Sequence, residues 1–286
     1  MDRHEGEIDL AANLHYGAED EAAGSVRVTR PVAVEELLQA YRALMAGQFR
    51  KQTSLQPAAG GDSASWPGRN GRVILVAGCM PSAGVSTVAL ALASHAGDAR
   101  VVECCTVASS GLCATACAEL GSVDGWVQGS RDTLLIERRG DRIASVGRLP
   151  APAATDRSWT VLDSSWDLGV LATDPGWLGD LARTLPEVVL VTRATVPGMR
   201  RLDIALTTLG AERALVAAVG ADRRRWPKPV DAAMSPVTRQ LQAEDRLFSI
   251  PSVPTLSVAG LTPDPLPKSV MAAVADLFTA LKGARA

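Results

Sequence analysis

No stretch of the chain approaches the ~18 consecutive apolar residues that a membrane-spanning helix requires, so no membrane span is expected. A surplus of positive charge is also missing. The 29 Lys and Arg stand against 31 Asp and Glu, a formal net charge of -2. Attraction to nucleic acid or an anionic membrane therefore has to come from a local patch. A leader with a basic start, an apolar middle and a small-residue end is not seen at the N-terminus, and a cytoplasmic location is the expectation. The five cysteines are an odd number, and they cluster as Cys79, Cys104, Cys105, Cys113 and Cys117 instead of spreading as a disulfide framework. Cys79 and Cys105 follow strands expected to be neighbours, and Cys113 and Cys117 fall at i, i+4 on a predicted helix, so a thiolate metal or redox site is conceivable. Buried thiols are the simpler account, and neither bound zinc nor a disulfide is expected. No internal repeat is seen.

What is present suits one folded core. Of the 286 residues, 47% are hydrophobic and 21% charged, enough for a buried sheet covered by helices. One α/β domain of roughly 200–250 residues plus an irregular arm fits the length. Residues 1–28 are acidic and small, without sustained apolar period, and read as a disordered arm. Residues 29–47 read as an amphipathic helix, with Val34, Leu37, Leu38, Tyr41, Leu44 and Met45 at helical spacing and Thr29 as a plausible cap. So short a helix is marginal alone, so its stripe is expected to dock on the core or on a partner. Residues 48–70, with Pro57, Gly60, Gly61, Pro67 and Gly68, read as a linker.

From residue 71 onward short apolar runs alternate with helical segments, which is the pattern of a parallel sheet with crossover helices. Strands are predicted at 72–77 and 100–104, and further strands at 160–162, 188–192 and 214–219, the last three each a continuous apolar run suited to burial on both faces. Helices are predicted at 85–95, 112–120, 177–184, 199–209, 236–245 and 267–281. A hairpin is expected where 134–138 and 142–146 flank Arg139-Gly140-Asp141, as an antiparallel extension of the sheet.

Gly78-Cys-Met-Pro-Ser-Ala-Gly84-Val85-Ser86-Thr87 follows an apolar strand and opens a helix, where a P-loop belongs. In such a loop backbone amides approach phosphate, a lysine bridges the outer phosphates, and Ser or Thr binds magnesium. Gly78, Gly84, Ser86 and Thr87 are retained, and Val85 holds the lysine position. Ser86 is a candidate magnesium ligand, if nucleotide binds.

With Val101-Val-Glu-Cys-Cys105, Trp159-Thr-Val-Leu-Asp163, Val188 to Pro197 and Ile250-Pro251 in the same order and spacing, residues 71–284 resemble the ParA/MinD family of P-loop proteins. The resemblance implies a doubly wound, mostly parallel sheet of P-loop NTPase type, preceded here by the N-terminal arm and helix. It also implies ATP or ADP with magnesium as the possible ligand. A second family lysine, which reaches across a nucleotide-sandwich dimer, corresponds to Met80. The acidic pair after the second strand is reduced to Glu103, with Cys105 at the second place, and an adenine-facing asparagine corresponds to Gly220. Asp163 falls where the family places the carboxylate that organises magnesium and the attacking water. A charge-assisted hydrogen bond contributes about 1.5–3 kcal/mol, so losing both lysines is severe for phosphoryl transfer, which depends on charge neutralisation.

Arginines near the carboxyl edge of the predicted sheet offer another source of positive charge. Arg193 ends a strand and is the candidate substitute for the lysine. Arg200 and Arg201 begin the next predicted helix and Arg223, Arg224, Arg225 and Lys228 follow the 214–219 strand, either as an anion or nucleic-acid surface or as solvated charge. The resulting expectation is a pseudo-ATPase, at most a very weak ATPase. It would act as a structural or regulatory partner in a bacterial DNA partition, conjugation or secretion complex, with a protein partner or a homodimer. The alternative is an ATP-dependent dimerising switch that binds DNA, with an arginine replacing the lysine.

Overall fold

The computed structural model describes Trp66, residues 71–106 and residues 108–283. The disordered arm, amphipathic helix and linker expected over residues 1–70 lie outside the described residues, apart from Trp66. The elements in chain order begin with β1 (Arg72–Gly78), α1 (Val85–Ala96), β2 (Ala99–Glu103), β3 (Ala118–Val123), β4 (Trp126–Arg131), β5 (Leu134–Arg139) and β6 (Trp159–Ser164). They continue with α2 (Leu168–Thr173), α3 (Trp177–Thr184), β7 (Val188–Arg193), α4 (Val196–Leu209), β8 (Ala214–Gly220) and α5 (Lys228–Ala232). The last are α6 (Pro236–Ala243), β9 (Leu247–Pro251), α7 (Pro254–Ala259) and α8 (Lys268–Gly283).

The strands form one nine-stranded sheet in the order β3-β4-β5-β2-β6-β1-β7-β8-β9. β4 alone runs against the rest, because it pairs antiparallel with both β3 and β5 while β5 pairs parallel with β2. The alternation of side chains along β1 separates two cores. Val73, Leu75 and Ala77 pack with Leu171 of α2, Leu178 of α3 and Leu202 of α4. Ile74 and Val76 pack with Val88 and Leu92 of α1 and with Val270 and Leu277 of α8. Helices cover both faces, which is why the central strands read as continuous apolar runs. This is the doubly wound, mostly parallel arrangement expected from the sequence. Helix starts follow local chemistry: Asp167 accepts N–H bonds from Gly169 and Val170, and Thr195 and Ser235 cap α4 and α6. Among the described residues, no helix is long and apolar enough to cross a membrane.

Three expectations need correction. The segment 112–120 is not a helix: it makes one 3-10 turn at Leu112–Ala114 and then enters β3, whose six residues are all exposed. An exposed edge strand carries no apolar alternation, so the spacing of Leu112, Ala116 and Leu120 mimicked a helical face. The antiparallel extension exists, but its turns lie at Asp124-Gly125 and Asp132-Thr133, not at Arg139-Gly140-Asp141. Asp124 and Gly125 both have positive φ, the requirement of a tight hairpin turn. Finally, β1 and β2 are not neighbours, because β6 lies between them. Cys79 and Cys105 therefore leave strands two positions apart in the sheet.

Trp66 is packed into the core, where its Nε1 donates to the Pro152 carbonyl at 2.8 Å and its ring lies 5.4 Å from that of Trp177. The Arg100 guanidinium also sits over the Trp66 ring. Arg100 is 1% exposed; its Nε donates to Thr160 Oγ1 at 3.0 Å and its Nη1 to Glu137 Oε2 at 2.9 Å. Burial opposes charge on Arg100 and Glu137 favours it. Removing one partner leaves the other uncompensated. Glu137→Leu is expected to cost about 3–5 kcal/mol in urea unfolding. The paired change Arg100→Met with Glu137→Leu should recover most of that loss, and a double variant no better than the single one would contradict the pairing.

Candidate functional site

β1 is hydrogen-bonded between β6 and β7 at the middle of the sheet and delivers the chain to the loop Gly78–Thr87 at its carboxyl edge. The Cys79 N–H donates to the Val191 carbonyl at 2.9 Å, fixing the loop's first residue to β7. Gly84 takes φ 102°, a left-handed conformation that a side chain would strain, and α1 begins at once with no side-chain cap on its first turn. The amides of that turn and the helix dipole make the end of the loop electropositive without any charged side chain.

Val85, at the position of the P-loop lysine, is 5% exposed and belongs to the core beneath α1. A Cβ at Gly78 would come within 2.9 Å of Val85 Cγ2, so these two residues are in close mutual contact. Ser86 is 8% exposed, and its Oγ accepts the Gly111 N–H at 3.0 Å. The loop opens onto two cavities. One, of about 460 Å³, is lined by hydroxyls of Ser82, Ser86, Thr87, Ser109, Ser110 and Ser165, with Leu256 and Leu261 opposite. No Lys or Arg among the described residues lines it. The second, of about 510 Å³, lies on the other side of the loop, with Gly84 and Thr87 facing Arg193, Val219, Pro251 and Val253.

Asp163 stands in register with Glu103 across β6 and β2 and with Val76 of β1. It is wholly buried, and neither carboxylate oxygen has a hydrogen-bond partner. Burial pushes its pKa up to about 7; the nearby Ser86 hydroxyl opposes the shift without reaching hydrogen-bond geometry, and Glu103 adds to it. Glu103 Oε2 is occupied by the Arg139 N–H at 2.8 Å. A magnesium ion demands oxygen ligands in near-octahedral array, usually including a carboxylate. No carboxylate among the described residues lines either cavity, Asp163 included, while Ser86 Oγ accepts one hydrogen bond and keeps a second lone pair.

The candidate residues thus separate. Gly84, Val85, Ser86 and Thr87 come together at the head of α1, with Gly78 and Met80 at the loop's start, and Arg193 faces the same loop from the end of β7. Asp163 lies behind them in the sheet. Gly220 ends β8 against the Ala194 side chain. The arginine run does not converge on the loop. Arg223 is held by Asp231 and by Gln242 Oε1 and lies 4.7 Å over the Trp226 ring, while Arg200, Arg201, Arg224, Arg225 and Lys228 are exposed and line neither cavity. Residues 108–111 and Ser165 also build the first cavity, and nothing in their local sequence signals it.

Cys104 and Cys105 are buried, Cys79 is partly so, and Cys113 and Cys117 are exposed. Burial pushes the Cys79 thiol up to about 12 and raises Cys104 and Cys105 as well, which keeps these thiols protonated and unreactive. No group of three or more His, Cys, Asp or Glu placed to hold a metal occurs among the described residues.

No family model matches the sequence, and no curated protein matches it. The solved structures to which the chain is similar are ParA/MinD-type partition and cell-division proteins. One is described as a plasmid partition protein of Borrelia burgdorferi bound to AMPPNP, with a TM-score of 0.49 and 13% identity, covering 75% of this chain and 99% of that one. Another is the MinD cell division protein of Aquifex aeolicus, with a TM-score of 0.47 and 14% identity over 74% and 97% of the two chains. A third is the MinD protein of Pyrococcus horikoshii complexed with Mg-ADP, with a TM-score of 0.46 and 15% identity over 76% and 99%.

The Asp163 shift has a definite sign. The carboxyl moves from 3.8 to about 7 in the folded protein, so the fold holds a proton that the unfolded chain has lost between those values. Stability from this group falls as pH rises through that window and levels off above it. In magnesium-free buffer, wild type should lose on the order of a few kcal/mol between pH 4 and pH 7 relative to Asp163→Asn. A constant difference between the two stability profiles would contradict a protonated Asp163.

Proposed function

We propose that the protein is a ParA/MinD-like pseudo-ATPase whose loop binds an anion weakly and does not hydrolyse ATP. It serves as a structural or regulatory partner in a bacterial DNA partition, conjugation or secretion complex. The observation that carries this reading is Val85. At the position where a P-loop needs a cation, an apolar side chain is buried in the core. Phosphoryl transfer depends on charge neutralisation around the transferred group, and among the described residues no cationic side chain lines the cavity against Ser86 and Thr87 to supply it. Backbone amides at the head of α1 still favour an anion, so binding can persist where turnover does not.

A second reading is an ATP-dependent dimerising switch that binds DNA. Arg193 favours it, since it faces Gly84 and Thr87 across the second cavity and brings a guanidinium suited to phosphate. The exposed Arg200, Arg201, Arg224 and Arg225 supply surface charge of the sign that nucleic acid attracts.

A binding titration with ATP and ADP, with and without magnesium, followed by a turnover assay on the same sample, separates the two. The pseudo-ATPase is expected to turn over ATP at background, with affinity nearly independent of magnesium. Magnesium-dependent turnover abolished by Arg193→Ala would establish the switch instead.

A further inference from the structure

The wall of the hydroxyl-lined cavity is held from outside by the antiparallel hairpin. Arg131, the last residue of β4, is 2% exposed and has no acidic partner among the described residues; it spends its donors on main-chain carbonyls. Its Nη1 donates to the Thr262 carbonyl at 2.6 Å and, at the 3.5 Å limit, to the Thr115 carbonyl; its Nη2 donates to the Asp264 carbonyl. Arg138 of β5 adds a bond from Nη1 to the Cys113 carbonyl at 2.7 Å, while its Nη2 holds both Glu119 oxygens. A buried guanidinium without a carboxylate is expensive, and its fixed fork of donors suits it to hold several carbonyls in one arrangement.

Those carbonyls belong to the two segments that close the cavity. Thr115 is wholly buried and ties back to Leu112, with its N–H and Oγ1 both donating to the Leu112 carbonyl at 3.1 and 2.7 Å. Leu112 adjoins Gly111, whose N–H meets Ser86 Oγ. Thr262 adjoins Leu261, which is 6% exposed and packs on Gly111: a Cβ there would lie 3.5 Å from Leu261 Cδ1 and 3.2 Å from Ser86 Cβ. Two short routes therefore run from one arginine of the hairpin to the hydroxyl at the mouth of the loop.

We propose that Arg131 is a positioning residue for the loop cavity, and that through it the hairpin β3–β5 sets how firmly Gly111 and Leu261 close on Ser86. The inference deepens the proposed reading and rests on it for calling the cavity a ligand site, but its test in the ligand-free protein does not. Hydrogen exchange at single amides is compared in wild type, Arg131→Met and Arg131→Lys. Arg131→Met keeps an unbranched apolar stem and removes the donors. It is expected to speed exchange of the Gly111 and Leu112 amides by about tenfold or more, while Leu75 and Val76 in β1 keep their wild-type rates. Arg131→Lys, which retains a charge and part of the donor set, is expected to fall between the two. Faster exchange confined to 262–264, or an equal rise in β1, would overturn the inference, the second because the loss would then be global.

If Arg131→Met does not fold, the comparison rests on Arg131→Lys against wild type at the same amides, and unchanged Gly111 exchange then overturns the inference. ATP titration of each folded variant gives a separate reading. If wild type binds, weaker binding by the variant supports positioning, and equal affinity in Arg131→Met opposes it. If wild type binds no ATP, the ligand reading of the cavity fails while the exchange result still decides the role of Arg131.

Discussion

The contact between Val85 and Gly78 sets how the chain turns from β1 into α1. Val85 Cγ2 would lie 2.9 Å from any Cβ placed at Gly78, so only a glycine lets the valine seat itself there. With Val85 buried, α1 docks on the sheet through Val88, Leu90 and Leu92, and its amino end faces the carboxyl edge between β6 and β7. A lysine at this position would place an ammonium group where the loop meets its ligand. Valine instead adds apolar area to the core.

Asp163 follows the same logic. In a site with a lysine and a metal, a carboxylate at the end of β6 has cations to face. Asp163 lies fully buried beside Glu103 and is pushed towards the neutral form. A buried apolar residue at position 85 and a buried carboxyl pushed towards its neutral form at position 163 are consistent with each other, since a buried unpaired carboxylate is costly. Lysine is scarce throughout the chain, at Lys51, Lys228, Lys268 and Lys282. Arg193 is thus the cation that faces the loop among the described residues, and it does so from the neighbouring cavity.

The parallel core was legible in the sequence because strands buried on both faces must be continuously apolar. β7 and β8 show it as Val188 to Val191 and Ala214 to Val219. The loop was legible because its glycines and hydroxyls fall in a fixed order between a strand and a helix. The hairpin was legible as an element but misplaced. β3 is exposed along its whole length, and Asp124-Gly125, a recognisable turn signal, was hidden between segments with no alternation. The arginine run was read as one unit, yet Arg223 is tied to Asp231 and Trp226 while its neighbours face solvent. Ser109, Ser165 and Leu261 could not be found from the sequence, because they reach the cavity through tertiary contacts between segments far apart in the chain.

The central claim is that an apolar residue at position 85 is what leaves the cavity against Ser86 without a cation. Titration of ATP into Val85→Lys beside wild type, in the same magnesium-containing buffer, tests it most directly. One restored charge-assisted bond of about 1.5–3 kcal/mol should tighten binding by roughly tenfold or more in a variant that stays folded. Unchanged or weaker affinity in the folded variant would contradict the claim.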